Sequence, residues 1–219
     1  SHQRQTHQTP IKSLIMPDGL DRISRKKEKY RRRQVEVFNA AAAVFAEKGY
    51  HGASTGDIAT KLGIAQSSLY YYFKSKDEAL EMVCLEGTKG YVERLKVIVE
   101  SSLTPVQKIR GAILSHIQPI DTIPDYFRTF TEELRYLPRS RRKMLNQMIS
   151  DYNKLMERIL ADGVANKTFK TSLDCHLAML QLISQCNEAP QWISSKTGYN
   201  LEEIATSIAD NFLLGATRR

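Results

Sequence analysis

Apolar residues recur at helical spacing through most of the chain, and short polar or glycine-containing breaks divide it into segments. From Lys29 onward, Val35, Phe38, Ala42 and Phe45 fall three and four positions apart, which predicts a helix with one apolar face ending at Gly49. Ser54 offers a side-chain cap with Asp57 at the third helical position, so a short helix should run through Ile58, Ala59 and Leu62 until Gly63 stops it. Gln66 to Phe73 predicts a second short helix. Ser75-Lys76-Asp77-Glu78 then reads as a capping box that opens a much longer one. Beyond it, Thr104-Pro105, Pro119, Pro124, Pro138, Gly163, Thr171 to Asp174 and Asn200 to Glu203 punctuate about five further helices. The β-branched cluster Val97-Ile98-Val99 sits inside a helical window, and neither Asp18-Gly19 nor Asp162-Gly163 has the alternating apolar flanks of a hairpin. The pattern predicts an all-α fold of about nine helices. Residues 1–24 lack sustained periodicity and are expected to form a mobile arm.

Composition narrows the class. A chain of 219 residues, 42% hydrophobic and 26% charged, can bury a core without staples, and no apolar run approaches the ~20 residues of a spanning helix. Three cysteines, Cys84, Cys175 and Cys186, are an odd number in a chain that needs no bridges, which points to a reducing, cytoplasmic setting. The net charge of +8 is unevenly placed: residues 1–76 hold 14 Lys and Arg against 6 Asp and Glu, and the remainder is balanced at 18 against 18. One end is therefore suited to a polyanion and the other to a different task.

Two short helices joined by a Gly-containing turn, Ala53 to Leu62 and Gln66 to Phe73, have the size of a helix-turn-helix, whose second helix fits the DNA major groove. Gln66, Ser67, Ser68, Tyr70, Tyr71 and Tyr72 supply the amide and hydroxyl groups that meet phosphates and base edges. Three successive tyrosines spread around a helix, so at least one must be exposed. Lys76 stands at a helix start, where its ammonium and free N–H groups can meet a phosphate. Arg31, Arg32 and Arg33, beside the motif, are candidates for non-specific phosphate contact, against the ordinary reading of a charge run as a solvated face.

The run Ser54 to Ile64, the segment Ser68-Leu69-Tyr70-Tyr71-Tyr72-Phe73-Lys74-Ser75-Lys76 and the preceding Ala40 to Ala43, Phe45 and Gly49-Tyr50 resemble the DNA-binding domain of the tetracycline-repressor-type (TetR) regulators. The resemblance covers about fifty residues. It implies that Thr55, Tyr70, Tyr72 and Lys76 contact phosphates, that Gln66 to Ser68 and Tyr71 approach bases, and that a dimer on a palindromic operator changes its grip when a small molecule binds. Ala65, where a capping Ser is common, and Ser67, where Gly is frequent, depart from the family pattern. By helix position in that family, Tyr91, Leu95, His116, Phe127, Phe130, Met148, Tyr152, Met179 and Ile183, with Met82, are implied as a ligand cavity; the plain alternative is ordinary core. The stretch Trp192 to Gly198 followed by Leu201-Glu202-Glu203-Ile204 resembles the end of regulators that respond to fatty acyl or acyl-CoA compounds.

On the last two helices, Leu177 and Leu180, then Ile204, Ile208 and Phe212, recur on apolar faces and are expected at a two-fold dimer interface. The expected organisation is a flexible basic arm (1–27), a helix-turn-helix domain (28–76) and a ligand-binding and dimerisation domain (77–219). The partners implied are duplex DNA, a small-molecule effector and a second copy, with no membrane. No metal-ligand spacing, phosphate loop or nucleophile motif is present, so no cofactor, metal or catalysis is expected. The competing classes are a basic DNA-binding protein indifferent to sequence, which leaves the neutral C-terminal residues without a role, and an all-α enzyme, which lacks a convergent set of titratable groups.

Overall fold

The computed structural model describes residues 18–193 and 198–217, with side chains from residue 24 onward. Among these the chain is helical, its one β feature an isolated antiparallel bridge between Phe169 and Thr217. α1 (Asp18–Gly52) is followed by α2 (Thr55–Leu62), α3 (Gln66–Leu69), α4 (Lys76–Gly87), α5 (Tyr91–Glu100) and α6 (Pro105–Ile117). Two single turns, α7 (Pro119–Thr122) and α8 (Pro124–Arg128), lead through a π-helical turn at Thr129–Glu133 to α9 (Lys143–Ala165), α10 (Cys175–Trp192) and α11 (Leu201–Ala216). Setting aside those two Pro-led turns leaves nine α-helices among the described residues, in line with the about nine expected.

Four local expectations change. The part of the arm that is described, residues 18–27, is helical and continuous with α1; residues 1–17 lie outside the described residues. Arg25 to Arg33 is almost wholly Arg, Lys and Glu, strong helix formers with no apolar stripe to reveal the helix. Val35 is 52% exposed, because the buried stripe of α1 runs through Val37, Phe38, Ala41 and Phe45. The second motif helix is one turn, Gln66–Leu69, after which Tyr72 donates to Leu69 O three residues back and the chain tightens into turns. The long linking helix comes as α4 and α5, parted by a turn at Gly90, whose φ of +78° suits glycine.

Two buried clusters organise the molecule. The first joins Val37, Ala41 and Phe45 of α1, Ile58 of α2, Leu69, Phe73 and the inner face of α4 through Cys84, and it also takes in Tyr126, Leu137 and Leu145. The packing of the reading head thus runs past residue 76. The second cluster fills the space among α5, α6, α9, α10 and α11. Within it Gly163 lies so close to Phe169 that a Cβ there would come within 2.2 Å of the ring.

Candidate nucleic-acid interface and effector cavity

The reading head is held by its caps. Ser54 accepts from Asp57 N–H at 3.1 Å, and the Asp57 carboxylate accepts from Ser54 N–H at 2.8 Å; Gly63 closes α2 in the left-handed conformation. Lys48 donates to Asp57 at 2.6 Å, and that bond, with those from Ser54, holds the Asp57 carboxyl down at about 2. At α4 the cap differs from the expected box: Ser75 accepts from Glu78 N–H, but the Glu78 carboxylate accepts from Lys74 N–H, one residue before the cap.

The structure brings the motif residues to one exposed surface. Gln66 donates its amide to Thr55 Oγ1 at 2.7 Å, tying the head of α2 to the head of α3. Ser67, Ser68 and Tyr70 are exposed beside them, and Tyr71 is the most open of the tyrosines at 68%. Tyr72 is half-buried against the first cluster and stacks on Tyr30 at 5.8 Å. Lys76 is turned inward: its ammonium donates to Tyr50 O at 2.8 Å and Ala53 O at 3.1 Å and lies 4.3 Å from the centre of the Tyr50 ring. Arg31 and Arg32 are exposed, whereas Arg33 pairs with Glu36 at 2.5 Å.

In the C-terminal domain a cavity of about 360 Å³ lies between α5, α6, the 127–135 segment, α9 and α10. That is within the ordinary size of small-molecule sites. Tyr91, His116, Phe127, Phe130, Met148, Tyr152 and Ile183 line it together. Leu95 and Met179 do not: they are fully buried in the second cluster, and Met82 belongs to a separate groove beside α1. Inside the cavity His116 Nδ1 meets Tyr152 OH at 2.8 Å and His116 Nε2 meets Asn187 Oδ1 at 3.0 Å. The amide oxygen accepts, so His116 carries its proton on Nε2 and accepts from Tyr152 on Nδ1. Burial pulls the imidazole down to about 4 and pushes the Tyr152 phenol well up, so both are neutral near pH 7. Exposed Arg135 and half-buried Arg142 form part of the rim. Arg135, Arg142 and Asn187 carry no family signature, although Asn187 is readable as the polar residue one helical turn beyond Ile183.

The segment that walls the cavity also grips the reading head. Phe130, Thr131 and Leu134 face the cavity. On the other side Thr129 Oγ1 donates to Ala42 O at 3.2 Å, and the buried Glu133 carboxylate accepts from Tyr50 N–H at 2.7 Å. Tyr50 is further held by its hydroxyl donating to Asp77, which raises the phenol to about 12, and by stacking on Tyr136 at 5.9 Å.

On the outer face of α10 and α11, Leu177 and Leu180 are 52% and 43% exposed and Leu214 is exposed with them. Ile204 and Ile208, expected at the dimer interface, are instead buried within their own chain, and Phe212 is half-buried with its ring against Phe169. Helical periodicity finds an apolar stripe but not whether the same chain already covers it.

Residues 37–83 match the family described as bacterial regulatory proteins, tetR family, and residues 102–216 match the tetracyclin repressor-like C-terminal domain. The chain belongs to the TetR family of transcriptional regulators. It is accordingly a DNA-binding, ligand-responsive regulator that works as a homodimer. The "Fatty acid metabolism regulator protein" of Bacillus subtilis (strain 168) is 25% identical over 194 residues, covering 88% of this chain and 98% of the relative. The "HTH-type transcriptional repressor KstR2" of Rhodococcus jostii (strain RHA1) is 24% identical over 174 residues, covering 79% and 85%. The crystal structure of FadR from Bacillus subtilis in complex with stearoyl-CoA superposes with a TM-score of 0.69 at 25% identity, covering 83% of this chain and 98% of that one. Among the described residues no helix is long and apolar enough to cross a membrane.

Proposed function

We propose that this TetR-family regulator is a repressor that releases its palindromic operator when a long-chain fatty acyl compound, of the acyl-CoA type, fills the cavity between His116, Tyr152 and Phe130. The observation that carries this reading is the cavity: an apolar chamber with one neutral polar cluster inside and cationic Arg135 and Arg142 at its rim. Such a site suits an alkyl chain within and phosphates outside. The stearoyl-CoA bound by FadR of Bacillus subtilis supports the same class. His116 and Tyr152 are locked to each other and held neutral, which favours binding over catalysis, so we assign no reaction. The three cysteines are unbridged, which agrees with a cytoplasmic site of action.

On the DNA side, Thr55, Gln66, Ser67, Ser68, Tyr70 and Tyr71 make the direct contacts in this proposal. Arg31 and Arg32 add phosphate contacts, and Tyr72 and Lys76 hold the motif's shape. The dimer face centres on Leu177, Leu180 and Leu214, and the reading head extends to the end of α4. The test is to titrate stearoyl-CoA, stearate and coenzyme A against the protein bound to an operator selected from a random-sequence pool. Release by stearoyl-CoA, weaker with stearate and absent with coenzyme A, is expected. An operator complex indifferent to all three overturns the effector assignment.

A further inference from the structure

Helix α1 begins well before the core it serves. Between residues 24 and 33 it carries Arg25, Lys26, Lys27, Lys29, Arg31, Arg32 and Arg33 against a single carboxylate, Glu28. Of these, Lys26, Lys27, Lys29, Arg31 and Arg32 are exposed and form no ion pair among the described residues, while Arg33 is taken by Glu36. A free basic arm would be mobile, but this one is fastened. Tyr30 lies parallel to the Tyr72 ring at 5.8 Å and edge-on to the Tyr71 ring at 5.6 Å. At ~100° per residue Tyr30 falls within ~20° of Val37 and Ala41, so it is the outward end of the buried stripe of α1, set against the turn that follows the recognition helix. On the same wheel Lys26 and Lys27 stand within ~60° of Tyr30, and Glu28 on the opposite face.

We propose that the first turns of α1 form a rigid DNA-binding extension, clamped to the reading head by Tyr30, whose Lys26, Lys27 and Arg31 contact phosphates of the duplex outside the sequence read by α3. This rests on the family's DNA binding and is independent of the effector. From Tyr30 back to Asp18 the helix spans ~18 Å, the length of about five base pairs. The partner is duplex DNA rather than an anionic lipid surface, because an interfacial helix needs an apolar face. In 24–33 the one ring available, Tyr30, is already engaged by Tyr71 and Tyr72.

The experiment compares a core operator, cut at the half-site edges, with the same operator carrying ten flanking base pairs on each side. Wild-type affinity for the long duplex should exceed that for the core duplex and fall more steeply with salt, by roughly 0.9 in log–log slope for each added phosphate. The double variant Lys26→Ala with Lys27→Ala should lose the flank-dependent part and keep core affinity. Tyr30→Ala retains every charge, and its flank dependence should also collapse if the clamp sets the helix in place. Circular dichroism and melting of both variants verify that the fold is kept. An affinity indifferent to flank length, or a Tyr30→Ala protein with the wild-type flank effect, overturns the proposal. So does equal binding of Lys26 and Lys27 to phosphatidylglycerol vesicles without any flank effect on DNA. A selection that yields no preferred operator overturns the specific-regulator reading itself, a different result from a preferred operator with inert flanks.

Discussion

The two halves of this molecule place their polar groups in opposite directions. The reading head packs Val37, Phe45, Ile58 and Leu80 inside and turns Gln66, Ser67, Ser68 and Tyr71 outward to solvent. The effector domain does the reverse at its cavity, where His116, Tyr152 and Asn187 face one another within an apolar shell. An exposed polar surface suits a hydrated, charged duplex, and a concave apolar one suits a small ligand that leaves water. Glu133 and Thr129 join the two through Tyr50 and Ala42, so that the wall of one site is a brace of the other.

The largest effect expected from breaking this arrangement lies at the dimer face proposed on α10 and α11, in the effector half, which in that proposal determines how the reading half works. Replacing Leu177 and Leu180 together by Glu should give folded monomers, because both side chains are about half exposed in a single chain. Loss of the second half-site should weaken operator binding by ~10²–10⁴-fold, as when any linked pair of contacts is separated. Ile208→Glu should instead unfold the effector half, since it puts a charge in a fully enclosed position. Light scattering and melting distinguish the two outcomes. A folded Ile208→Glu monomer would return the interface to the buried stripe of α11.

That contrast shows what the sequence makes legible. The reading head is written in local signals: the Ser54–Asp57 cap and Gly63 depend on neighbours a few residues away and both appear at their expected places, whereas the helix expected from Gln66 to Phe73 ends at Leu69 and passes into turns. The effector half depends on which face of a helix another helix covers. Leu95, Met179, Ile204 and Ile208 have the same chemistry as the residues that line the cavity or stand exposed on α10 and differ from them only in what lies opposite. The start of α1 is hidden for a third reason, because a helix that is polar all round has no periodicity to find. Glu133 is invisible too, since its partner is a backbone N–H 83 residues away.

A pH series tests the contrast between inward and outward polar groups. His116 titrates near 4 when folded and near 6.5 when free, so between those values the unfolded chain binds the extra proton. Stability is therefore complete above pH 6.5 and falls as the pH drops towards 4, by about 3 kcal/mol in all. Asp57, in the reading head, is lowered from 3.8 to about 2, so its contribution persists to lower pH and is lost only below 3.8. Chemical denaturation from pH 7 to 4 should show a decline that His116→Gln largely removes. An unchanged decline in that variant would place the responsible group elsewhere.

On the outward-facing side, Gln66→Ala and Tyr71→Ala should each relax discrimination between operator and mismatched duplex, by about 1–3 kcal/mol for a lost base contact. Gln66→Ala also removes the bond to Thr55, so its effect should include a small loss of overall affinity that Tyr71→Ala does not share. Competition binding with single-base operator variants separates the two. Equal losses on every sequence would mean that neither side chain reads bases.

The smallest expected effect concerns Lys76, where the family resemblance and the geometry point in different directions. A phosphate-binding lysine, when removed, should lower the salt slope by about 0.9 and leave stability alone. Here two of the three ammonium hydrogens are given to Tyr50 O and Ala53 O, and the charge rests over the Tyr50 ring. These bonds fasten the α1–α2 turn to the start of α4, and Tyr50 is the residue that Glu133 holds from the effector side. Lys76→Ala should therefore leave the slope nearly unchanged, lower the melting stability by ~1 kcal/mol and weaken all duplexes alike through a loosened motif. A slope reduced by a full unit at unaltered stability would make Lys76 an outward-facing phosphate ligand, as the family resemblance implies.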